Sequence, residues 1–360
     1  MVGGDRRLEP AAFVAAVLVA VFLSPAAEAE TAAAGASLRP GPFESIFAFG
    51  DSFTDTGNSP VAFYGYSPIM RPPYGMTFFH GVPTGRFCNG RLLIDFVAHG
   101  LGLPLVPPFF HIGDGPGAYP LPINISLEVQ LGWFEEPKPS LCKTDQDCKD
   151  FFGKSLFFVG EFGINDYQFS FGKKSMQEIR AFVPDLIETI SKGAERLIGH
   201  GAKTLVIPGM IPSGCAPPVL VTFANAHASE YDAATGCLKE PNKIAMLHNS
   251  LLRYAIHKLR AKHPDVTIIH TDLFNHVTKM VKSPEKFGFK KDLFTIGCGG
   301  PGRYHYNLSN VCGDEAATTC EDPSTRLFWD GVHLTEAAYH YIAEDWLNAI
   351  VGSLSARASS

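Results

Sequence analysis

Two short motifs at opposite ends of the chain carry the residue types that activate a serine. Gly50-Asp51-Ser52-Phe53 follows an apolar run at 45–49, and Asp330-Gly331-Val332-His333 lies near the C-terminus. A serine hydroxyl is a weak nucleophile until an imidazole takes its proton. The imidazole works best when a carboxylate fixes its tautomer and steadies its cation. Ser52, His333 and Asp330 would supply these groups, with Asp330 placed locally before its histidine. Each motif alone is short enough to arise by chance, so the elements that would bring them together matter.

Apolar runs rich in β-branched and aromatic residues occur at 45–49, 155–159, 204–208 and 266–270, and they read as buried strands. Helical patterns lie at 91–101, 175–199, 242–262 and 335–354, the last opening on Thr335, a residue suited to an N-cap. Alternating strands and helices predict a three-layer α/β/α fold around a parallel sheet. Ligands in such folds sit beyond the carboxyl ends of the strands. Ser52, Gly163-Ile164-Asn165-Asp166 and Pro208-Gly209-Met210 all follow strands, so one rim would collect them. The Pro- and Gly-rich stretches 60–83 and 103–122 read as long rim loops, where specificity usually resides.

Residues 1–29 have the pattern of a secretory signal: Arg6 and Arg7, an apolar core at 11–23, then Ala27-Glu28-Ala29. That core is too short to span a membrane, and no transmembrane segment is expected after it. The expected destination is the secretory pathway, in the endoplasmic reticulum or outside the cell. Eight cysteines suit an oxidising compartment. Cys142 with Cys148, and Cys215 with Cys237, would each close a short loop, but spacing leaves the connectivity open, and Cys88 is the foremost candidate for a free thiol. The sequons at Asn124 and Asn307 are candidate glycosylation sites. A formal charge of −6, with no basic run after the leader, argues against a nucleic-acid partner or an anionic membrane surface. Phe is abundant, at 28 residues, and core packing accounts for most of it.

Three ordered blocks, residues 50–58, 163–166 and 330–339, closely resemble the plant GDSL esterase/lipase family, part of the SGNH hydrolase superfamily. The resemblance covers nearly all of 30–360 as a single catalytic domain, including Pro83-Thr84-Gly85-Arg86-Phe87-Cys88-Asn89-Gly90-Arg91, Leu103-Pro104-Leu105-Val106-Pro107-Pro108-Phe109 and Trp329 before Asp330. It implies a flavodoxin-like sheet, with Ser52 as nucleophile, His333 as general base and then acid, and Asp330 as its orienting carboxylate. It also implies that the Asn165 side-chain amide and the Ser52 backbone N–H hold the oxyanion. The implied partners are a small ester or lipid and either water or a hydroxyl acceptor, with no metal or organic cofactor.

One block departs from that pattern. After Leu-Val-Pro-Pro-Phe the family continues with a Gly-Val-Asn-Phe-Ala-x-x-Gly-Ala-Thr-like strand and turn, whose later glycine supplies a third oxyanion donor. Here Phe110 is followed by His111-Ile112-Gly113-Asp114-Gly115-Pro116-Gly117, and the pattern resumes near Asn124. In the strand order 2-1-3-4-5 the missing strand lies at an edge, so the others can still pair. Gly113, Gly115 and Gly117 are the candidate replacements for the donor. A member lacking this block resembles the plant xanthophyll acyltransferases, which implies acyl transfer from acylglycerol-type esters to a carotenoid hydroxyl, aided by the aromatic loop 61–66. Ester hydrolysis is the alternative, and a folded lipid- or glycan-binding member without turnover is the second.

Gly297-Cys298-Gly299-Gly300-Pro301-Gly302 matches a dinucleotide-binding pattern by letters, but it neither follows a clear strand nor opens a helix. Gly-x-Ser-x-Gly and His-Glu-x-x-His are both absent, which argues against an α/β-hydrolase elbow and a zincin.

Overall fold

A computed structural model describes residues 41–62, 67–110 and 125–358. Four strands, β1 (Ser45–Phe49), β2 (Ser155–Val159), β3 (Thr204–Pro208) and β4 (Thr267–Thr271), form a parallel sheet in the order β1-β2-β3-β4. Every residue of β2 and β3 is buried, which is why their sequences are continuous apolar runs rather than alternating ones. The register places Phe49 beside Val159 and Pro208 beside Thr271, so the carboxyl ends align along one rim. The fourth strand starts one residue later than its apolar run. The Val266 N–H closes a turn onto the His263 carbonyl, and ladder pairing begins when the Thr267 N–H reaches Lys203 O.

Eleven helices are found among the described residues. They are α1 (Asn58–Ala62), α2 (Leu93–Gly100), α3 (Leu127–Glu135), α4 (Lys138–Leu141), α5 (Asp145–Gly153), α6 (Ile164–Gln168), α7 (Met176–Gly199), α8 (Pro217–Thr222), α9 (Lys239–Lys262), α10 (Leu273–Lys282) and α11 (Glu336–Ala358). Ser175 caps α7 reciprocally: its Oγ accepts from the Glu178 N–H at 3.2 Å while the Glu178 carboxylate accepts from the Ser175 N–H at 2.8 Å. Thr335 precedes α11, and its Oγ1 accepts from the Ala338 N–H at 3.3 Å.

Adjacent residues of β2 show how the layers form, because successive strand side chains point to opposite faces. Phe157 stacks on Phe47 at 5.1 Å and meets Phe134 of α3 edge-on at 5.8 Å. Phe158 stacks instead on Trp346 of α11 at 5.5 Å. On the first face α7 packs along α9 and α3; on the second α2 packs along α11. The result is the three-layer arrangement anticipated from the alternation of elements, about one parallel sheet.

Among the described residues no strand lies beyond β1. On that side of β1 a side chain bonds the backbone. Gln130 of α3 accepts from the Gly50 N–H at 3.0 Å and donates to the Gly50 carbonyl at 2.8 Å.

Disulfides join Cys142 to Cys148, Cys215 to Cys237 and Cys298 to Cys312, leaving Cys88 and Cys320 as thiols. The leader, the loop residues Phe63, Tyr64, Gly65 and Tyr66, the glycines Gly113, Gly115 and Gly117, and Asn124 lie outside the described residues.

Candidate active site

The segment after β1 turns sharply. A Cβ on Gly50 would stand 2.1 Å from Thr54 Oγ1 and 2.7 Å from Gly160 O, so only glycine fits where the chain passes β2. The Asp51 carboxylate accepts from the Phe53 N–H at 3.0 Å, closing the turn that presents Ser52 at the rim.

Asp330 and His333 sit on a tight reversal. Phe328 and Leu334 form an antiparallel bridge, the Trp329 N–H donates to the His333 carbonyl at 2.7 Å, and Gly331 takes a φ of 142°. A neighbouring segment pins this reversal. The Gly297 N–H donates to Phe328 O at 2.9 Å and the Cys298 N–H to Trp329 O at 2.7 Å. The glycine-rich run 297–302 therefore supports the site through its backbone, and its cysteine is in the bridge to Cys312.

The three side chains meet across nearly the whole sequence. Ser52 Oγ lies 2.7 Å from His333 Nε2, and His333 Nδ1 lies 2.6 Å from Asp330 Oδ1. A ring nitrogen facing a carboxylate must carry the proton, which leaves Nε2 to accept from the serine hydroxyl. The imidazole is buried and flanked by Phe87, with ring centroids 4.7 Å apart, and by Phe53 at 5.6 Å. These rings limit its rotation. The Asp330 side chain is only 6% exposed, and its second oxygen is also occupied: Tyr74 donates its hydroxyl to Oδ2 at 2.6 Å. Tyr74 is itself buried, and burial followed by the charge of Asp330 holds its phenol well above the usual range, so it remains a donor.

Asn165 is on α6, five residues beyond Gly160, and its side chain is exposed on the rim. The helix is launched by Gly163, whose φ of 112° favours glycine and whose Cβ position is 3.1 Å from His248 Cε1. His248 is buried and lowered to about 3 by loss of solvent, with repulsion from His270 adding to it. The ring is hydrogen-bonded through Nδ1 to the Tyr167 hydroxyl at 3.0 Å and so ties α6 to α9.

Two further carboxyl groups lie beside the turn. Burial raises Asp51 to about 7, against the opposing pull of the Phe53 N–H and of His333. Glu161, with φ 45°, is also pushed up by burial and then by the nearby charge of Asp51. Asp51 Oδ2 and Glu161 Oε2 are both sealed from solvent without a hydrogen-bond partner. Such groups are held most cheaply as neutral acids.

Asn307 is half-buried beside Tyr306, with Nδ2 donating to Pro301 O at 3.0 Å. Of the residues that sequence reasoning pointed to, the structure joins Ser52, His333 and Asp330 by hydrogen bonds and places Asn165 on α6 at the rim; Tyr74, Gln130 and Glu161 were missed. Tyr74 stood in a Pro-Pro-Tyr-Gly run that read only as loop. Gln130 stood at an ordinary helical position.

Chemically, the arrangement allows the Ser52 hydroxyl to pass its proton to an imidazole whose other nitrogen is anchored on a doubly hydrogen-bonded carboxylate. The family model described as GDSL-like Lipase/Acylhydrolase matches residues 46–346. In Arabidopsis thaliana, GDSL esterase/lipase At1g28600 is 41% identical over 331 residues, covering 85% of this chain and 84% of that protein. GDSL esterase/lipase At1g28580 is 41% identical over 336 residues, covering 85% of each. GDSL esterase/lipase At5g45910 is 40% identical, covering 84% of this chain and 89% of that protein. With the match running through the nucleophile turn, the sheet and the terminal Asp-His reversal, the chain belongs to the GDSL lipase/acylhydrolase family.

Proposed function

We propose that the protein is a serine-dependent enzyme of carboxylic-ester acyl chemistry, working through an acyl-enzyme on Ser52. Ser52 Oγ attacks the ester carbonyl carbon as its proton passes to His333 Nε2. The displaced electron pair rests on the carbonyl oxygen, held by the Ser52 N–H and the Asn165 side-chain amide. Collapse expels the alcohol, which takes the proton from His333 and leaves an acyl ester on Ser52. A water or alcohol then attacks this ester, with His333 as base, and releases the acyl group. Asp330 accepts from Nδ1 throughout and keeps the imidazole in one tautomer.

The observation that carries this reading is the unbroken chain from Ser52 Oγ through His333 to Asp330, at 2.7 and 2.6 Å. Family membership and the esterase/lipase names of similar proteins support water as the acceptor. A second reading, transfer to a bulky hydroxyl such as that of a xanthophyll, is supported by a sheet that ends at β1 among the described residues, where the family block is absent from the sequence. Three disulfides support passage through an oxidising secretory compartment.

The test is product analysis with purified protein given triacylglycerol, with and without lutein, beside Ser52→Ala. Free fatty acid that requires Ser52 establishes hydrolysis; lutein esters that require Ser52 establish transfer. Turnover that survives in Ser52→Ala would remove the assignment, and labelling of wild type by a fluorophosphonate separates an activated serine from a binding-only protein.

A further inference from the structure

Beneath the Asp330–His333 reversal lies a small hydrophobic cluster separate from the main core. It comprises Ile69, Tyr74, Cys298, Cys312 and Trp329, with Met76 and Phe87 packed against it. Its members reach both catalytic candidates on the reversal. Trp329 immediately precedes Asp330, Phe87 lies against the His333 ring, and Tyr74 meets Trp329 edge-on at 6.0 Å while bonding Asp330.

Tyr74 is held firmly from its own side. Its N–H donates to Arg71 O at 3.2 Å, and the next residue, Gly75, donates to Cys88 O at 3.3 Å. Gly75 has φ 72° and a Cβ position 2.2 Å from Val82 O, so the backbone there accepts only glycine. The hydroxyl is thus delivered by a turn with little freedom to follow a moving partner.

We propose that Tyr74 is a positioning residue for the reaction: by donating to Asp330 Oδ2 it completes a four-member chain, Ser52–His333–Asp330–Tyr74, that fixes the carboxylate plane and sets its pull on the imidazole. This inference rests on the serine-dependent reading above. The physical reason lies in the occupancy of the two oxygens. A nearly buried carboxylate with one partner can rotate about its Cβ–Cγ bond and presents its full charge to the histidine; a second donor locks that rotation and withdraws part of the charge. Without the donor, Asp330 is itself a poorer anion and His333 sees a less damped one. Both changes strengthen proton binding by the pair. Among the described residues, titratable groups within electrostatic reach include Tyr306, Cys88 and Tyr339 around Asp330, and Asp51 facing His333.

The experiment compares wild type with Tyr74→Phe, which keeps the ring against Trp329. The measurements are fluorophosphonate labelling of Ser52, the kcat and KM split, and the pH profile of kcat/KM on a soluble ester. Burial raises the Asp51 carboxyl beside His333 to about 7, so each profile is repeated in an Asp51→Asn background to remove its contribution. The expected result is a kcat lower by about tenfold with KM little changed, and an acid limb moved up by about half a pH unit. In Asp330→Asn, removing the Tyr74 hydroxyl should add little further loss, because its partner has been altered. Replacing Tyr74 by 3-fluorotyrosine, nearly the same shape with a more acidic hydroxyl, should move the limb the other way, and it keeps the question answerable should Tyr74→Phe fold poorly. An unchanged limb and kcat in labelled, folded variants would overturn the role of Tyr74 alone. Failure of wild type to label at Ser52 would overturn the serine reading and this inference with it.

Discussion

Gln130 bonds both backbone groups of Gly50, accepting its N–H at 3.0 Å and donating to its carbonyl at 2.8 Å. Gly50 stands two residues before Ser52, on the side of β1 where no strand follows among the described residues. An edge strand leaves N–H and C=O groups in need of partners, and one side-chain amide has the right complement to serve one residue in both senses. The nucleophile turn is therefore anchored from a helix.

Gln130→Leu should lower stability by about 2 kcal/mol, because two partly buried backbone groups lose their partner at once. It should also slow fluorophosphonate labelling of Ser52 by tenfold or more, since small displacements of a nucleophile are costly. Urea unfolding and labelling rates measure the two effects separately; an unaltered labelling rate would mean that the anchor serves only the fold.

Asn165 is exposed on a five-residue helix, so its replacement has little to disturb. Asn165→Ala should nevertheless reduce kcat by roughly a hundred- to a thousandfold, the usual loss for one oxyanion donor, with KM and thermal midpoint near wild type. A fall of only a fewfold would take the oxyanion role away from this residue.

Asp51 gives a pH dependence of stability. Its folded value of about 7 is raised above the ordinary 3.8, so the folded state binds this proton more tightly than the unfolded chain does. The associated stability is fully present below the unfolded value and is lost as pH rises from about 4 to 7, at roughly 1.4 kcal/mol for each step of one in pH. Asp51→Asn keeps a neutral polar group and should flatten that stretch of the stability profile measured by denaturant unfolding. An equally steep profile in the variant would assign the dependence to other groups, with Glu161 the first to examine.

Arg86 and Asp95 form a buried bidentate pair, with both contacts at 2.8 Å, and the same guanidinium donates to Thr56 O at 3.2 Å. The pair thus fastens the loop after Ser52 to α2. Arg86→Ala should cost about 3 to 5 kcal/mol, because it leaves a buried carboxylate without its cation, whereas Arg86→Met with Asp95→Leu should cost much less. A double-mutant cycle in urea checks this; additive losses would show that the two residues act independently.

Local patterning made the strands legible. β1, β2 and β3 begin and end where their apolar runs do, since a strand buried on both faces needs a short uninterrupted apolar stretch and little else. Thr335 was readable as a cap for a similar reason: capping is a contact between residues three apart. Helix α3 was harder, because its functional contact with Gly50 spans 80 positions and gives no periodic signal of its own.

The sequence by itself determined the sheet's strands and pointed to Ser52, His333, Asp330 and Asn165 as the candidate site, because those features lie in short blocks of characteristic residue types. Only the tertiary structure decided that Tyr74, 256 positions from Asp330, occupies the carboxylate's second oxygen, and that Cys298 pairs with Cys312 under it. Local spacing records what a residue's neighbours in the chain require, whereas these contacts arise where the packed sheet brings distant loops to one rim, and their energies depend on burial that no single segment possesses alone.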